Sequence, residues 1–237
     1  MAVVVPVLGL SAYGGLAGSA TSTTSSPAAA QGAPSAAAAQ GAPPSGFAAR
    51  AGGGGSNARS GPAAGGSIGK VSSVSTSGFT LVTSTGEKVT VKETSSTKYA
   101  KGTHTASVKA VTKGTTVLVL GTTSSTTITA KQVTVRPANS GTNTAYTPSK
   151  VVAFTPGSAG ASKTDGQIPA NYTEGSGTIV SGIAANKATK AALAAYPGGV
   201  VDRVVRLSNG EYEVHNIGVS WPHHVFVSKD FKVVGAG

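Results

Sequence analysis

Apolar and polar positions begin to alternate at Ile68, and little alternation precedes that residue. It runs through residues 68–75, 79–82, 89–91, 117–120 and 128–135. Successive side chains of a strand point to opposite faces, so each run reads as a half-buried strand. Val and Thr dominate these runs, and branching at Cβ suits both to a pleated surface. Turn residues separate them at Ser77-Gly78, Thr85-Gly86, Lys101-Gly102, Lys113-Gly114 and Gly121. Five short strands at this spacing predict a small barrel or sandwich over residues 68–137.

The pattern differs over residues 176–237. Gly177-Thr178-Ile179-Val180 reads as a short strand, and Asn186 as the cap of a helix over 187–196 that Pro197-Gly198-Gly199 ends. Strand-like runs follow at 200–207, 212–217 and 225–228, with a last short run at 232–234. Asn209-Gly210 marks a hairpin between the first two, because both residues tolerate positive φ. One helix followed by a meander predicts an α+β layer with the helix over one sheet face. The expected fold class is therefore mainly β with one α+β module.

Composition sets the boundaries of these stretches. The first 67 residues are almost wholly Ala, Gly, Ser, Thr and Pro, with too little large apolar surface to offset the entropy of ordering. Residues 1–20 are apolar and end in small residues like a secretory signal, although no Lys or Arg precedes Arg50. This leads to the expectation of a start upstream of Met1 and of a secreted or cell-surface protein. Residues 21–67 read as a disordered linker in which Gln31-Gly32-Ala33-Pro34 recurs as Gln40-Gly41-Ala42-Pro43. Residues 138–175, again rich in Ser, Thr, Gly and Pro, read as a second linker, with a short apolar patch at Val151-Val152-Ala153-Phe154.

Of the net charge of +11, residues 68–137 carry +7, from nine Lys and Arg against Glu87 and Glu93. That stretch is the expected partner of any polyanion, namely anionic wall polymers or lipid headgroups, through salt-sensitive attraction. Nucleic acid is not expected, because single-strand binding needs aromatic stacking platforms and only Phe79 and Tyr99 are present there. The chain has no cysteine, which excludes disulfides, thiol catalysis and Cys-ligated zinc.

Two resemblances follow from particular residues. Gly69-Lys70-Val71, Ser77-Gly78-Phe79-Thr80-Leu81, the run from Lys113 to Val119 and the run from Ala130 to Val135 resemble a family of exported bacterial domains of unknown function with an OB-like barrel. This implies a fold and an exported setting, and no activity. The runs 191–199, 210–214 and 224–235 are similar to PepSY-type domains, small modules of exported proteins and peptidase propeptides. The chain departs from them in carrying Trp221-Pro222-His223-His224 at the second hairpin. No peptidase domain follows, so this resemblance implies stand-alone binding or inhibition of an exported peptidase.

Candidate chemistry is sparse. Gly65-Gly66-Ser67-Ile68-Gly69 fits the nucleophile-elbow pattern, but a strand follows the serine where that chemistry needs a helix. Ser67-x-x-Lys70 and Ser95-x-x-Lys98 lack the partner motifs of serine–lysine hydrolases. If strands 211–217 and 222–228 pair, His215 falls opposite His223 or His224, with Glu213 on the face of His215. Two imidazoles and a carboxylate can hold Zn²⁺ or Cu²⁺ weakly; the competing reading is of strand histidines facing solvent. Trp221 reads either as a loop-tip anchor for a partner or as a ring folded back on the sheet. The expectation is a non-catalytic envelope or extracellular binding protein without a cofactor. Peptidase inhibition is the alternative and weak metal binding the third.

Overall fold

A computed structural model describes residues 61–136, 151–156 and 163–237, all within one compact unit. The apolar segment 1–20 and the linker expected over 21–67, up to residue 60, lie outside the described residues. The first half contains β1 (Ala63–Ser75), β2 (Gly78–Val82), β3 (Lys88–Lys92), β4 (Lys98–Lys101), β5 (His104–Ala106), β6 (Thr116–Ser124) and β7 (Thr127–Arg136). A short 3₁₀ turn, Val108–Ala110, sits between β5 and β6. Two-residue strands follow: β8 (Val152–Ala153), β9 (Asp165–Gly166) and β10 (Thr178–Ile179). Then come helix α1 (Gly182–Ala195), β11 (Val200–Arg206), β12 (Tyr212–Ile217), β13 (Val219–Trp221), β14 (His224–Val227) and β15 (Val233–Ala236). The fold is mainly β with one helix among the described residues, and thirteen of its strands form a single mixed sheet.

Every alternating run recognised in the first half is a strand. β1 pairs antiparallel with β2 and β6, β2 with β3, and β6 with β7. β3 runs parallel to β7, so these pairings return to β1. Val71, Phe79, Leu81, Val89, Val91, Val117, Val119, Ile128 and Val133 form the enclosed core. Lys88, Thr90 and Lys92 alternate with Val89 and Val91 and face solvent. β4 and β5 extend the sheet beyond β7 as a hairpin.

β1 begins five residues before the expected boundary at Ile68, within the Ala-Ala-Gly-Gly-Ser stretch. Composition made that stretch look like linker, whereas the small residues serve a close approach. A Cβ on Gly65 would fall on the Val201 carbonyl, and one on Gly66 on the Val119 carbonyl. Bare backbone there lets β1 lie between β6 and β11, pairing Gly66 with Val201 and Ser67 with Val200. The two stretches expected as separate modules therefore share one sheet.

In the second half β11, β12, β14 and β15 form the expected meander. Gly210 supplies the positive φ of 84° in the Asn209-Gly210 turn. The helix starts a turn before the expected cap: Ser181 occupies the N-cap position, and Asn186 lies inside the helix. Alanine favours helix, so Ala184 and Ala185 extend it toward the N-terminus. Ala185, Ala188, Thr189, Ala192 and Leu193 form its buried face. They pack on Val201, Val204, Tyr212, Val214, Val225 and Val227, with Ile68 reaching across from β1. Tyr196 N–H bonds the Ala192 carbonyl, and Pro197-Gly198-Gly199 then turns the chain into β11.

That Pro-Gly-Gly stop also receives the first half. Ser84 Oγ donates to the Pro197 carbonyl (3.0 Å), Thr85 Oγ1 to Gly198, and Ser67 Oγ to Gly199 (2.9 Å). Parts of the segment expected as linker are ordered on the same body. β8 pairs with β13, and β9 extends the sheet beyond β15.

Candidate functional site: the outer face of the C-terminal strands

Strand alternation divides the residues of β11, β12 and β14 between two faces. Val204, Tyr212, Val214, Val225 and Val227 go to the helix side. Arg203 and Val205, Glu213 and His215, and His224 and Phe226 share the other face, where Arg203 pairs with His215, Val205 with Glu213, His215 with His224, and Glu213 with Phe226. Charged groups thus stand side by side across three adjacent strands.

A break in register between Val201 and Arg203 marks a bulge in β11. A bulge puts two residues opposite one and re-aims a side chain. Here Asp202 reaches both neighbours: Oδ2 accepts from Arg203 Nη1 at 3.0 Å, and Oδ1 meets His215 Nδ1 at 2.6 Å. Arg203 is buried, and its Nε has no hydrogen-bond partner among the described residues.

Glu213 is 2% exposed, a costly place for a carboxylate unless it is paired. Its Oε1 meets His224 Nδ1 at 2.7 Å and accepts from the Tyr172 hydroxyl at 3.1 Å. Tyr172 comes from the turn before β10, where its N–H bonds the Pro169 carbonyl, and its ring stands edge-on to Phe226 at 4.7 Å. Burial and then the adjacent Glu213 carboxylate push the Tyr172 hydroxyl well above the usual phenol range, so it stays a donor. His223 completes the group: Nδ1 lies 3.2 Å from the Asn216 carbonyl, and Asn216 N–H bonds the His223 carbonyl at 2.7 Å.

Of the residues singled out from sequence, Glu213, His215 and His224 share the expected face, and His215 stands opposite His224. Their ring centroids are 5.2 Å apart, and His223 lies 6.3 Å from His215 and 6.4 Å from His224. Among the described residues no group of three or more His, Asp or Glu side chains stands in position to hold a metal ion. Glu213 is engaged instead as the hydrogen-bond partner of His224.

Trp221 is 1% exposed and belongs to the helix-side core, so its ring is not an exposed loop-tip anchor. Its Nε1 donates to the Lys163 carbonyl at 2.5 Å, Tyr196 stands edge-on at 5.4 Å, and Lys163 Nζ lies 4.7 Å from the ring centroid. Ser67, of the elbow-like motif, is buried inside strand β1 with its hydroxyl on Gly199.

Three members of the site were missed from sequence. Asp202-Arg203 interrupts a run of valines, a visible sign of a bulge. Tyr172 gives no local signal, because only the tertiary fold brings its loop to Glu213.

A cleft of about 540 Å³ adjoins the cluster, with Tyr172 as the shared wall. Arg206, Thr178, Val180, Leu207 and Ser208 are among the residues that line it. Comparison with known proteins found no matching family model, no matching curated protein and no matching solved structure.

Proposed function

We propose that this chain is a non-catalytic exported binding protein, an OB-like barrel joined to a PepSY-like α+β layer, that holds an acidic group of an envelope partner in the cleft between Tyr172 and Arg206. The returning set of pairings among β1, β2, β3, β7 and β6, with β3 parallel to β7, supports the barrel reading. Helix α1 over one face of the meander supports the α+β reading.

The cleft carries the functional reading. Its volume of about 540 Å³ is that of a site for a short peptide end or a small ligand. Arg206 is exposed at the end of β11 and offers a planar fork of donors suited to a carboxylate. Tyr172, Val180 and Leu207 supply apolar wall beside it. The basic first half, with Lys88 and Lys92 on one open strand face, adds salt-sensitive attraction to anionic wall polymers or lipid headgroups.

Fluorescence anisotropy of the full chain with labelled acidic hexapeptides tests this. Binding that Arg206→Ala weakens at least tenfold is expected, and binding indifferent to Arg206→Ala overturns it. Adding the full chain to exported peptidases then sorts the partner: dose-dependent loss of turnover makes it a peptidase, and unchanged turnover makes it another envelope protein.

A further inference from the structure

We propose that Lys88, Lys92, Lys131 and Lys98 form one cationic row on the outer face of β3, β7 and β4, and that this row binds a linear polyphosphodiester. The proposal rests on the reading of the basic first half as a partner of polyanions, and it stands apart from the cleft beside Arg206.

Strand register puts the four side chains on one face. Lys88, Thr90 and Lys92 are the exposed residues of β3, alternating with buried Val89 and Val91. β7 runs parallel beside it, with Thr90 against Thr127 and Lys92 against Thr129, while Ile128 and Ala130 are buried. Leu120 of β6 pairs with Gln132 and its neighbour Gly121 with Ala130, so Lys131 is the extra residue of a bulge. A bulge re-aims a side chain. Lys131 and Gln132 both stay outside here, and Val133 and Val135 remain buried. Lys98 is exposed and pairs with Gln132, whereas Tyr99 pairs with Val133 and packs on the enclosed core. Neighbouring strands lie about 4.8 Å apart and alternate residues about 6.6 Å apart along a strand, so Lys92, Lys131 and Lys98 follow one another at about 6–8 Å between Cα atoms. Lys88 stands about 13 Å further along β3.

Neither acid of the first half neutralises the row. Residues 68–137 contain only Glu87 and Glu93. Glu93 Oε1 is buried and its carboxylate stands near Tyr99, while Glu87 lies against Gly218 of the second half. The threonines between the lysines offer neutral hydroxyls that can donate to phosphate oxygens. One acidic group would engage one lysine, whereas a row of four suits a charge repeated along a chain. The same face disfavours bases, because Tyr99 is on the other side of the sheet and Phe79 is in the core, leaving no ring to stack on. It also disfavours a bilayer. Among the described residues no exposed large apolar side chain lies on β3, β4 or β7, and sheet twist keeps lysines of three strands out of one plane. A flexible polymer can follow the row.

Anisotropy of end-labelled inorganic polyphosphate, titrated with the full chain, tests the row. Wild-type binding that weakens with salt is expected. Lys92→Gln, Lys98→Gln and Lys131→Gln together should lower affinity at least tenfold. They should also reduce the slope of log affinity against log salt by about two, since each cation on a flexible polyanion releases about 0.7 counterion. The charge-matched triple Lys70→Gln, Lys109→Gln and Lys113→Gln, at exposed first-half positions off the row, should change affinity little. All six lysines are exposed, and circular dichroism checks that both triples fold. Equal loss from the two triples overturns the row and leaves the basic half a polyanion binder; absence of wild-type binding even at low salt overturns both. Phosphatidylglycerol vesicles or oligothymidylate that bind more tightly than polyphosphate, with the same dependence on the row, overturn the polymer and make the partner a lipid surface or a nucleic acid.

Discussion

Ser67 Oγ donates to the Gly199 carbonyl at 2.9 Å, joining the first strand of the sheet to the turn after helix α1, 132 residues further on. The bond is fully buried, and β1 pairs with β11 at the same place. The two halves are therefore expected to unfold together. Chemical denaturation followed by circular dichroism and by Trp221 fluorescence should give coincident single transitions. Ser67→Ala, which leaves the buried Gly199 carbonyl without that donor, should cost about 1–2 kcal/mol. Two separated transitions in the wild-type chain would refute the coupling.

Gly65 tests the same junction through sterics. A Cβ there would overlap the Val201 carbonyl, so Gly65→Ala forces β1 away from β11. The expected loss is about 1–3 kcal/mol, typical of overpacking in a close-packed interior. Gly86→Ala is the control for space, since nothing lies within 4 Å of a Cβ at that turn; its φ of 91° still makes a modest cost expected.

Trp221 is the chain's only tryptophan and lies beneath Tyr196 in the helix-side core. Its fluorescence should be blue-shifted and resist acrylamide quenching until the chain unfolds. Trp221→Phe removes the Nε1 donor from the Lys163 carbonyl and leaves a void, so a loss of about 2–3 kcal/mol is expected by denaturant titration. Strong quenching of the native protein would show the indole to be open to solvent.

Three tyrosines set the alkaline limit. Burial, followed by the nearby Glu93 carboxylate, pushes the Tyr99 hydroxyl up to about 12. Burial and then Asp165 raise Tyr196, and burial and then Glu213 raise Tyr172. The native chain holds these protons where the unfolded chain, ionising near pH 10, has lost them. The stabilisation is therefore complete below about pH 10 and falls as pH rises toward 12. Absorbance titration should show these tyrosinates forming late, and Tyr172→Phe should reduce the alkaline loss of stability. At neutral pH the same substitution removes a donor from the buried Glu213 and should cost about 1–3 kcal/mol.

Much of the second-half site was legible because β geometry is local. Alternation alone puts Glu213 and His215 on one face, and a turn near Val219 is enough to bring His223 or His224 opposite; only the tertiary register selects His224. The role of Glu213 was not legible from the same pattern: its burial beneath Tyr172 makes it the partner of an imidazole. Nor did local sequence show which way Trp221 turns, since an aromatic ring beside a turn suits a core and a surface equally.

The sequence by itself determined the five long alternating strands of the first half, the closing meander, the Asn209-Gly210 hairpin and the helix stop at Pro197, because each depends on side-chain periodicity or backbone preference over a few neighbouring residues. The short strands β4, β5, β8, β9 and β13 carry no such pattern. Only the tertiary structure decided that Gly65 and Gly66 belong to a strand, that β1 joins β11, and that Asp202, Tyr172 and the histidines form one cluster. Those outcomes depend on which distant backbones and loops fit together at van der Waals distance. Small residues and isolated polar side chains carry no periodic signal of the partner they will meet.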